Sequence, residues 1–155
     1  MKKIALPLLA GIIALSSCKK VVEVKDLDKQ INLSFLTGYI GTSSSAFDND
    51  YNQCVLKDFD KRDYKHIDSI TFNIGLSVGA PNDTAYARLY NITDQVEIAN
   101  SLVKSNGKQG YIEFHSNDIL ASLPEKRVNL GVQIRSSGPG RYAFASMAYL
   151  KLRRN

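Results

Sequence analysis

Apolar and polar residues alternate along much of this chain, most regularly between residues 70 and 78. There Ile70, Phe72, Ile74, Leu76 and Val78 occupy every second position. A period of two predicts a strand with one buried face, because successive side chains of a strand point to opposite sides. Weaker alternation predicts further strands at residues 31–39, 51–59, 84–92, 111–115, 128–134 and 142–152, and the segment 96–103 fits either a strand or a loop.

Turn-forming residues separate these segments. Clusters of glycine, proline and small polar residues lie at 41–50, 79–83, 105–108 and 136–140, and residues 119–123 predict one helical or irregular turn. About eight short strands without a long helix predict an all-β fold, namely an antiparallel β-sandwich of jelly-roll type. An immunoglobulin-like sandwich is the first alternative, although its Cys…Trp…Cys pattern is absent, and a lipocalin-like barrel is the second.

The first eighteen residues follow another pattern. Lys2 and Lys3 precede an apolar stretch from residue 4 to residue 15, and Ser16, Ser17 and Cys18 come next. A basic start, a short apolar centre and small residues at the end are typical of a secretory signal peptide. The apolar stretch is shorter than the ~20 residues that a membrane-spanning helix needs.

The sequence Leu15-Ser16-Ser17-Cys18 resembles the lipobox of bacterial lipoproteins. The resemblance implies cleavage before Cys18, diacylation of its thiol and acylation of the new amino terminus. Lys19, where that family often has Asp for inner-membrane retention, favours the outer membrane. The resemblance covers residues 1–18 and implies a signal peptide at 1–17. The charge-rich residues that follow predict a lipid-anchored tether at 18–30, and the alternating pattern after them predicts the β-sandwich domain at 31–155. The expected location is therefore the bacterial cell envelope, with the membrane as a partner through the acyl chains.

The formal net charge of +5 belongs mostly to the two ends of the 155-residue chain. Removal of residues 1–17 leaves 138 residues with 18 basic and 15 acidic side chains. Without Lys19, Lys20, Lys151, Arg153 and Arg154, 13 basic side chains remain against the 15 acidic ones. A nucleic-acid-binding protein gathers basic residues on one face, so we expect no nucleic-acid partner.

Residues suited to catalysis or metal binding are few. Two pairs could each supply two metal ligands: Glu113 with His115, and His66 with Asp68. A catalytic zinc site requires three protein ligands, and the sequence contains no HExxH motif. We therefore predict no catalytic residue, no metal and no cofactor. Cys54, the one thiol left after lipidation, is predicted to be a small buried side chain.

Acidic residues leave two further possibilities open. Asp48-Asn49-Asp50 offers oxygen ligands for calcium but lacks the EF-hand spacing. A second acidic group could supply the paired carboxylates of a glycoside hydrolase, and it consists of Asp58, Asp60, Asp63 and Asp68. Its turn-rich surroundings favour a solvated turn instead.

The segment 84–92 carries the candidate binding residues. Its small apolar residues alternate with Tyr86, Arg88 and Tyr90, which point to solvent if the apolar set faces the core. Exposed aromatic rings stack on sugars, and arginine donates hydrogen bonds to them, although the absence of Trp removes the strongest stacking platform.

A second resemblance concerns the body of the chain. Residues 70–78, 85–91 and 130–136 look like jelly-roll modules that accompany extracellular carbohydrate-active and surface proteins. A fold resemblance does not by itself fix a function. From this resemblance together with the three candidate binding residues of the segment 84–92, we predict a non-enzymatic binding or structural role, with glycan as the first ligand and an envelope protein as another partner. A small envelope hydrolase and an accessory subunit of a larger outer-membrane complex are the alternatives.

Overall fold

The computed structural model describes residues 29–36, 38–47, 54–107 and 109–154. The predicted signal peptide, Cys18, almost all of the predicted tether and the candidate calcium loop at 48–50 lie outside the described residues. Within them the chain forms two 3₁₀ turns, Lys61–Asp63 and Leu120–Ser122, and ten strands: β1 (Gln30–Ser34), β2 (Tyr39–Thr42), β3 (Val55–Phe59), β4 (Ile67–Val78), β5 (Thr84–Asn91), β6 (Val96–Glu97), β7 (Val103–Asn106), β8 (Ile112–Asp118), β9 (Val128–Ser136) and β10 (Ala143–Arg154).

The strands form two antiparallel sheets. The first sheet has the order β1-β10-β4-β8, with β2 also paired to β10. The second has the order β3-β9-β5-β6, with β7 also paired to β5. When β1 and β2 count as one position, and β6 and β7 as another, eight positions remain in the order of a jelly roll. The predicted all-β sandwich is confirmed.

Ten strands replace the predicted eight. The predicted segment 31–39 is divided into β1 and β2, and the segment 96–103 contains β6 and the start of β7, which continues to Asn106 into the predicted turn at 105–108. The interruption between β1 and β2 lies where β10 changes register between Ser146 and Tyr149. Met147 there has a φ of 47°, and the backbone N–H groups of Phe35 and Leu36 both donate to the carbonyl of Ala148. A bulge of this kind bends a strand and ends its pairing, so the chain beside it must start a new strand.

The hydrophobic core fills the space between the two sheets. The side chains that alternate along β4 are completely buried at Ile70, Phe72, Ile74 and Leu76. They meet the inward residues of the neighbouring and facing strands, among them Ala87, Leu89, Leu130, Val132, Leu150 and Leu152. Cys54 is also completely buried in this core, as predicted.

Each sheet keeps one face on the outside of the sandwich. Along β5, Ala85, Ala87 and Leu89 are buried, whereas the residues between them are only half-buried. The outward set of β5 is therefore the predicted one, Tyr86, Arg88 and Tyr90. Among the residues that the structure describes, no helix has the length and apolar character to cross a membrane.

Candidate functional site

The outer face of the second sheet brings the predicted binding residues together. Tyr86 of β5 lies opposite Arg135 of β9 on one side and Lys104 of β7 on the other. Residues directly opposite in an antiparallel pair point to the same face. The next residue of the set, Arg88, lies opposite Gln133 of β9 in the same way.

The same face continues beyond Arg88. Tyr90 lies opposite Gly131 of β9 and Glu97 of β6. Gly131 has no side chain, and it is itself buried. We call the whole surface the arginine–aromatic face: Phe47, Tyr86, Arg88, Tyr90, Glu97, Lys104, Gln133 and Arg135.

Two arginines stack on aromatic rings in this face. The guanidinium carbon of Arg135 lies 3.8 Å from the centroid of the Tyr86 ring and 5.2 Å from that of Phe47. The guanidinium carbon of Arg88 lies 3.9 Å from the Phe47 centroid. Such cation–π contacts hold a flexible arginine side chain in one orientation. Phe47 therefore connects the two arginines.

Sequence reasoning did not single out Phe47 or Arg135. Phe47 lies after β2 in a small, polar segment without alternation, so no local signal pointed to it. Arg135 was detectable, because it continues the alternation of β9 on the face opposite Val132 and Ile134. Its position beside Tyr86 follows only from the pairing of β5 with β9.

The two arginines differ in how their charge is balanced. Arg88 donates from Nε to Oε1 of Gln133 at 2.7 Å and forms an ion pair with Glu97. In the part of the chain that the structure describes, Arg135 donates one long hydrogen bond of 3.4 Å, to the carbonyl oxygen of Ser136. Within the described ranges, no carboxylate forms an ion pair with Arg135 or with Lys104.

Within the described residues, the depression beside the arginine–aromatic face is small. It measures about 120 Å³ and is lined by Phe47, Arg88, Glu97 and the segment from Ile98 to Leu102. Sites for drug-sized ligands usually measure about 300–1,000 Å³. A ligand larger than this depression would lie across the half-buried rings and arginines around it.

The outer face of the first sheet carries another aromatic group that sequence reasoning missed. The ring centroids of Tyr39 and Tyr111 are 4.9 Å apart, although β10 and β4 separate β2 from β8. The hydroxyl of Tyr149 donates a hydrogen bond to Oε1 of Glu113 at 2.7 Å. Burial of the hydroxyl is the larger cause and the Glu113 carboxylate the smaller cause of the raised pKa of Tyr149, which is about 12. We call this surface the tyrosine face: Tyr39, Tyr111, Glu113, Met147 and Tyr149.

Small residues lie beneath the tyrosine face. A side chain at Gly75 would place its Cβ 2.6 Å from Oγ of Ser146, so the closely packed position admits only glycine without a shift. A shallow depression of about 310 Å³ opens beside Met147 and Tyr149 and is lined also by Asn32, Ser34 and Leu36. Its volume is at the lower end of the range for ligand sites. The tyrosine face is thus a second exposed surface with aromatic character.

The histidines do not come together. His66 directly precedes β4, and His115 of β8 lies opposite Asn73, so the length of β4 between them is about 20 Å. Metal–ligand bonds are near 2 Å, which excludes a metal ion shared by these two side chains. Among the described residues, no three His, Cys, Asp or Glu side chains are placed to hold a metal ion.

Two acidic side chains around the first 3₁₀ turn form ion pairs with arginines. Asp60 is buried and accepts hydrogen bonds from Nε of Arg62 at 2.9 Å and from Nη2 at 2.6 Å. These bonds lower the pKa of Asp60 to about 2. Asp63 pairs with Arg127 at 3.0 Å. A glycosidase acid needs a raised pKa, so Asp60 is suited to capping the turn rather than to donating a proton.

The Asp60–Arg62 pair predicts a pH-dependent contribution to stability. The pKa of Asp60 lies below its ordinary value of 3.8, so the ionised carboxylate stabilises the folded state above that pH. The contribution is lost as the pH falls from about 4 towards 2. We expect Asp60→Asn to lower the melting temperature at about pH 6 and the difference from wild type to shrink over that acid range. Asp68→Asn, at an exposed position of β4, is the matched control, and a difference that persists unchanged at pH 2 would contradict the assignment.

A comparison with protein-family models, curated proteins and solved structures gives no match to this chain. Its class therefore follows from its own geometry: an antiparallel β-sandwich of jelly-roll order with an arginine–aromatic outer face.

Proposed function

We propose that this protein is a lipid-anchored protein of the bacterial cell envelope that binds glycan through the arginine–aromatic face and catalyses no reaction. The observation that carries the glycan part is the position of Tyr86, Arg88 and Tyr90 on one solvent-facing surface, with both arginines stacked on aromatic rings. The lipobox at Leu15–Cys18 carries the anchor part.

The chemistry of the face suits a sugar ligand. Aromatic rings offer flat apolar surfaces to the C–H groups of a sugar ring, and arginine N–H groups donate hydrogen bonds to its oxygens. Arg88 is already held by Phe47, Gln133 and Glu97, so little side-chain entropy is lost when a ligand binds. A rigid surface of this kind can bind without a deep pocket.

The tether sets the distance over which the domain can act. Residues 18–30 extend over at most about 45 Å. A domain attached to acyl chains at Cys18 would therefore stay close to the membrane surface. Glycans within this reach, in the envelope itself, are the expected ligands.

Replacement of Tyr86 tests the glycan proposal. We expect Tyr86→Ala to weaken glycan retention about tenfold or more, since one stacked ring supplies much of the contact area on a shallow surface. The melting temperature should change little, because Tyr86 is only half-buried and an exposed cation–π contact contributes about 0.5–1 kcal/mol. A glycan array and calorimetric titration of its strongest hits measure the effect.

Tyr39→Ala is the matched control, because it removes a tyrosine from the tyrosine face on the opposite side of the sandwich. Tyr39 is 70% exposed, so this variant should also fold normally. Loss of binding in Tyr39→Ala with normal binding in Tyr86→Ala would move the site to the tyrosine face. An array without any signal would refute glycan binding.

A further inference from the structure

We infer that the glycan bound at the arginine–aromatic face is acidic, and that Arg135 and Lys104 bind its carboxylate groups. This inference rests on the proposed function, because it names the ligand class of the same site. It extends the predicted set of Tyr86, Arg88 and Tyr90 by two cations that flank Tyr86 on either side.

The charges on the arginine–aromatic face favour an acidic ligand. Glu97 balances the charge of Arg88, whereas no described carboxylate forms an ion pair with Arg135 or Lys104. Arg135 is nevertheless half-buried among its neighbours. A partly desolvated guanidinium without a counter-charge is unfavourable unless another group supplies it. The surface around Tyr86 is therefore complementary to an anion.

The orientation of Arg135 leaves its N–H groups available to a carboxylate. Its guanidinium lies against the Tyr86 ring at 3.8 Å and near the Phe47 ring at 5.2 Å. Contacts with ring faces leave the N–H groups at the edge of the guanidinium, and of its five N–H donors one is engaged by the Ser136 carbonyl. Two parallel N–H donors match the two oxygens of a carboxylate.

The spacing of the strands places one cation on each side of Tyr86. Neighbouring strands lie about 4.8 Å apart, so the backbones of Arg135 and Lys104 are about 10 Å apart with Tyr86 between them. Both cations have long side chains. A sugar ring stacked over Tyr86 would thus have a cation on each side within reach of its carboxylate or of that on the next sugar.

The extent of the patch favours a sugar acid over nucleic acid. Nucleic-acid-binding proteins commonly neutralise about 6–10 phosphates. Here two unbalanced cations flank one ring, and Glu97 places a negative charge on the same face. Such a patch suits separated carboxylates on a glycan better than a continuous line of phosphates.

Paired glycans test the inference on the full lipidated protein in a neutral detergent. One member of each pair carries carboxylates, as in polygalacturonate, and the other is the same glycan after reduction of its carboxyl groups. We expect the wild type to bind the acidic member at least about tenfold more tightly, as for charge-assisted hydrogen bonds. Arg135→Gln and Lys104→Gln should each remove most of that preference, and Arg135→Lys should restore it in part because it keeps the charge but loses the paired donors.

Arg153→Gln is the matched control, since it removes an exposed cation from β10 of the other sheet. Equal binding of both members of each pair, or preference for the reduced members, would overturn the inference and leave glycan binding intact. Absence of binding to every glycan would overturn the proposed function together with it. Equally tight binding of single-stranded DNA or of vesicles containing phosphatidylglycerol would also overturn the inference, because the face would then be a general polyanion site.

Discussion

Cys18→Ala should abolish the incorporation of labelled fatty acid and transfer most of the protein from the detergent phase to the aqueous phase. The thiol of Cys18 is the expected point of diacylation, and an alanine has no atom that can carry the thioether. Each buried CH₂ group contributes about 0.8 kcal/mol to membrane binding, so several acyl chains hold a protein permanently, whereas one chain gives only reversible binding. Metabolic labelling with a palmitate analogue, followed by phase partition, measures both effects.

Cys54→Ala is the matched control for this variant. Cys54 lies completely buried in the core, far in sequence from the predicted signal peptide, so its replacement should leave labelling and partition unchanged. Fatty-acid label in Cys18→Ala would show that the lipobox prediction is wrong. Equal loss of label in both variants would instead trace the loss to misfolding of the domain.

Phe72→Ala should lower the free energy of unfolding by about 3–5 kcal/mol, the range for removal of a large aromatic side chain from a core. Phe72 is completely buried on β4, the strand paired with both β10 and β8. Its ring meets that of Phe35 edge to face, with centroids 6.4 Å apart. Alanine would leave a cavity at the centre of the sandwich, which denaturant unfolding of the full chain would detect.

Phe144→Ala is the comparison for the core variant. Phe144 is half-buried on the outer side of β10, where its ring stacks on Tyr142 at a centroid distance of 6.1 Å. Its removal opens a surface instead of an enclosed cavity and should cost clearly less stability. An equal or larger loss than in Phe72→Ala would contradict the assignment of the inner and outer faces.

Much of the fold was predictable because alternation is a local property of a strand. Ile70, Phe72 and Ile74 identified β4, and Tyr86 and Arg88 were correctly separated from the apolar side of β5. The interruption between β1 and β2 was not predictable, since it depends on a bulge in β10, more than a hundred residues later in the chain. His66 and His115, each considered with a neighbouring acidic residue as metal ligands, lie far apart for a similar reason: strand length and register decide distances that spacing in sequence does not show.

The sequence by itself determined the two-sided strands, the buried position of Cys54 and the outward direction of Tyr86, Arg88 and Tyr90. The resemblance of Leu15–Cys18 to a lipobox also depends on consecutive residues alone, and the lipid anchor stays a prediction. The tertiary structure decided which side chains meet across the sheets: Arg135 on Tyr86, Arg88 on Phe47, and Tyr149 on Glu113. The physical reason is that side-chain direction follows from the local geometry of a strand, whereas the partner of a strand follows from long-range pairing in the jelly roll.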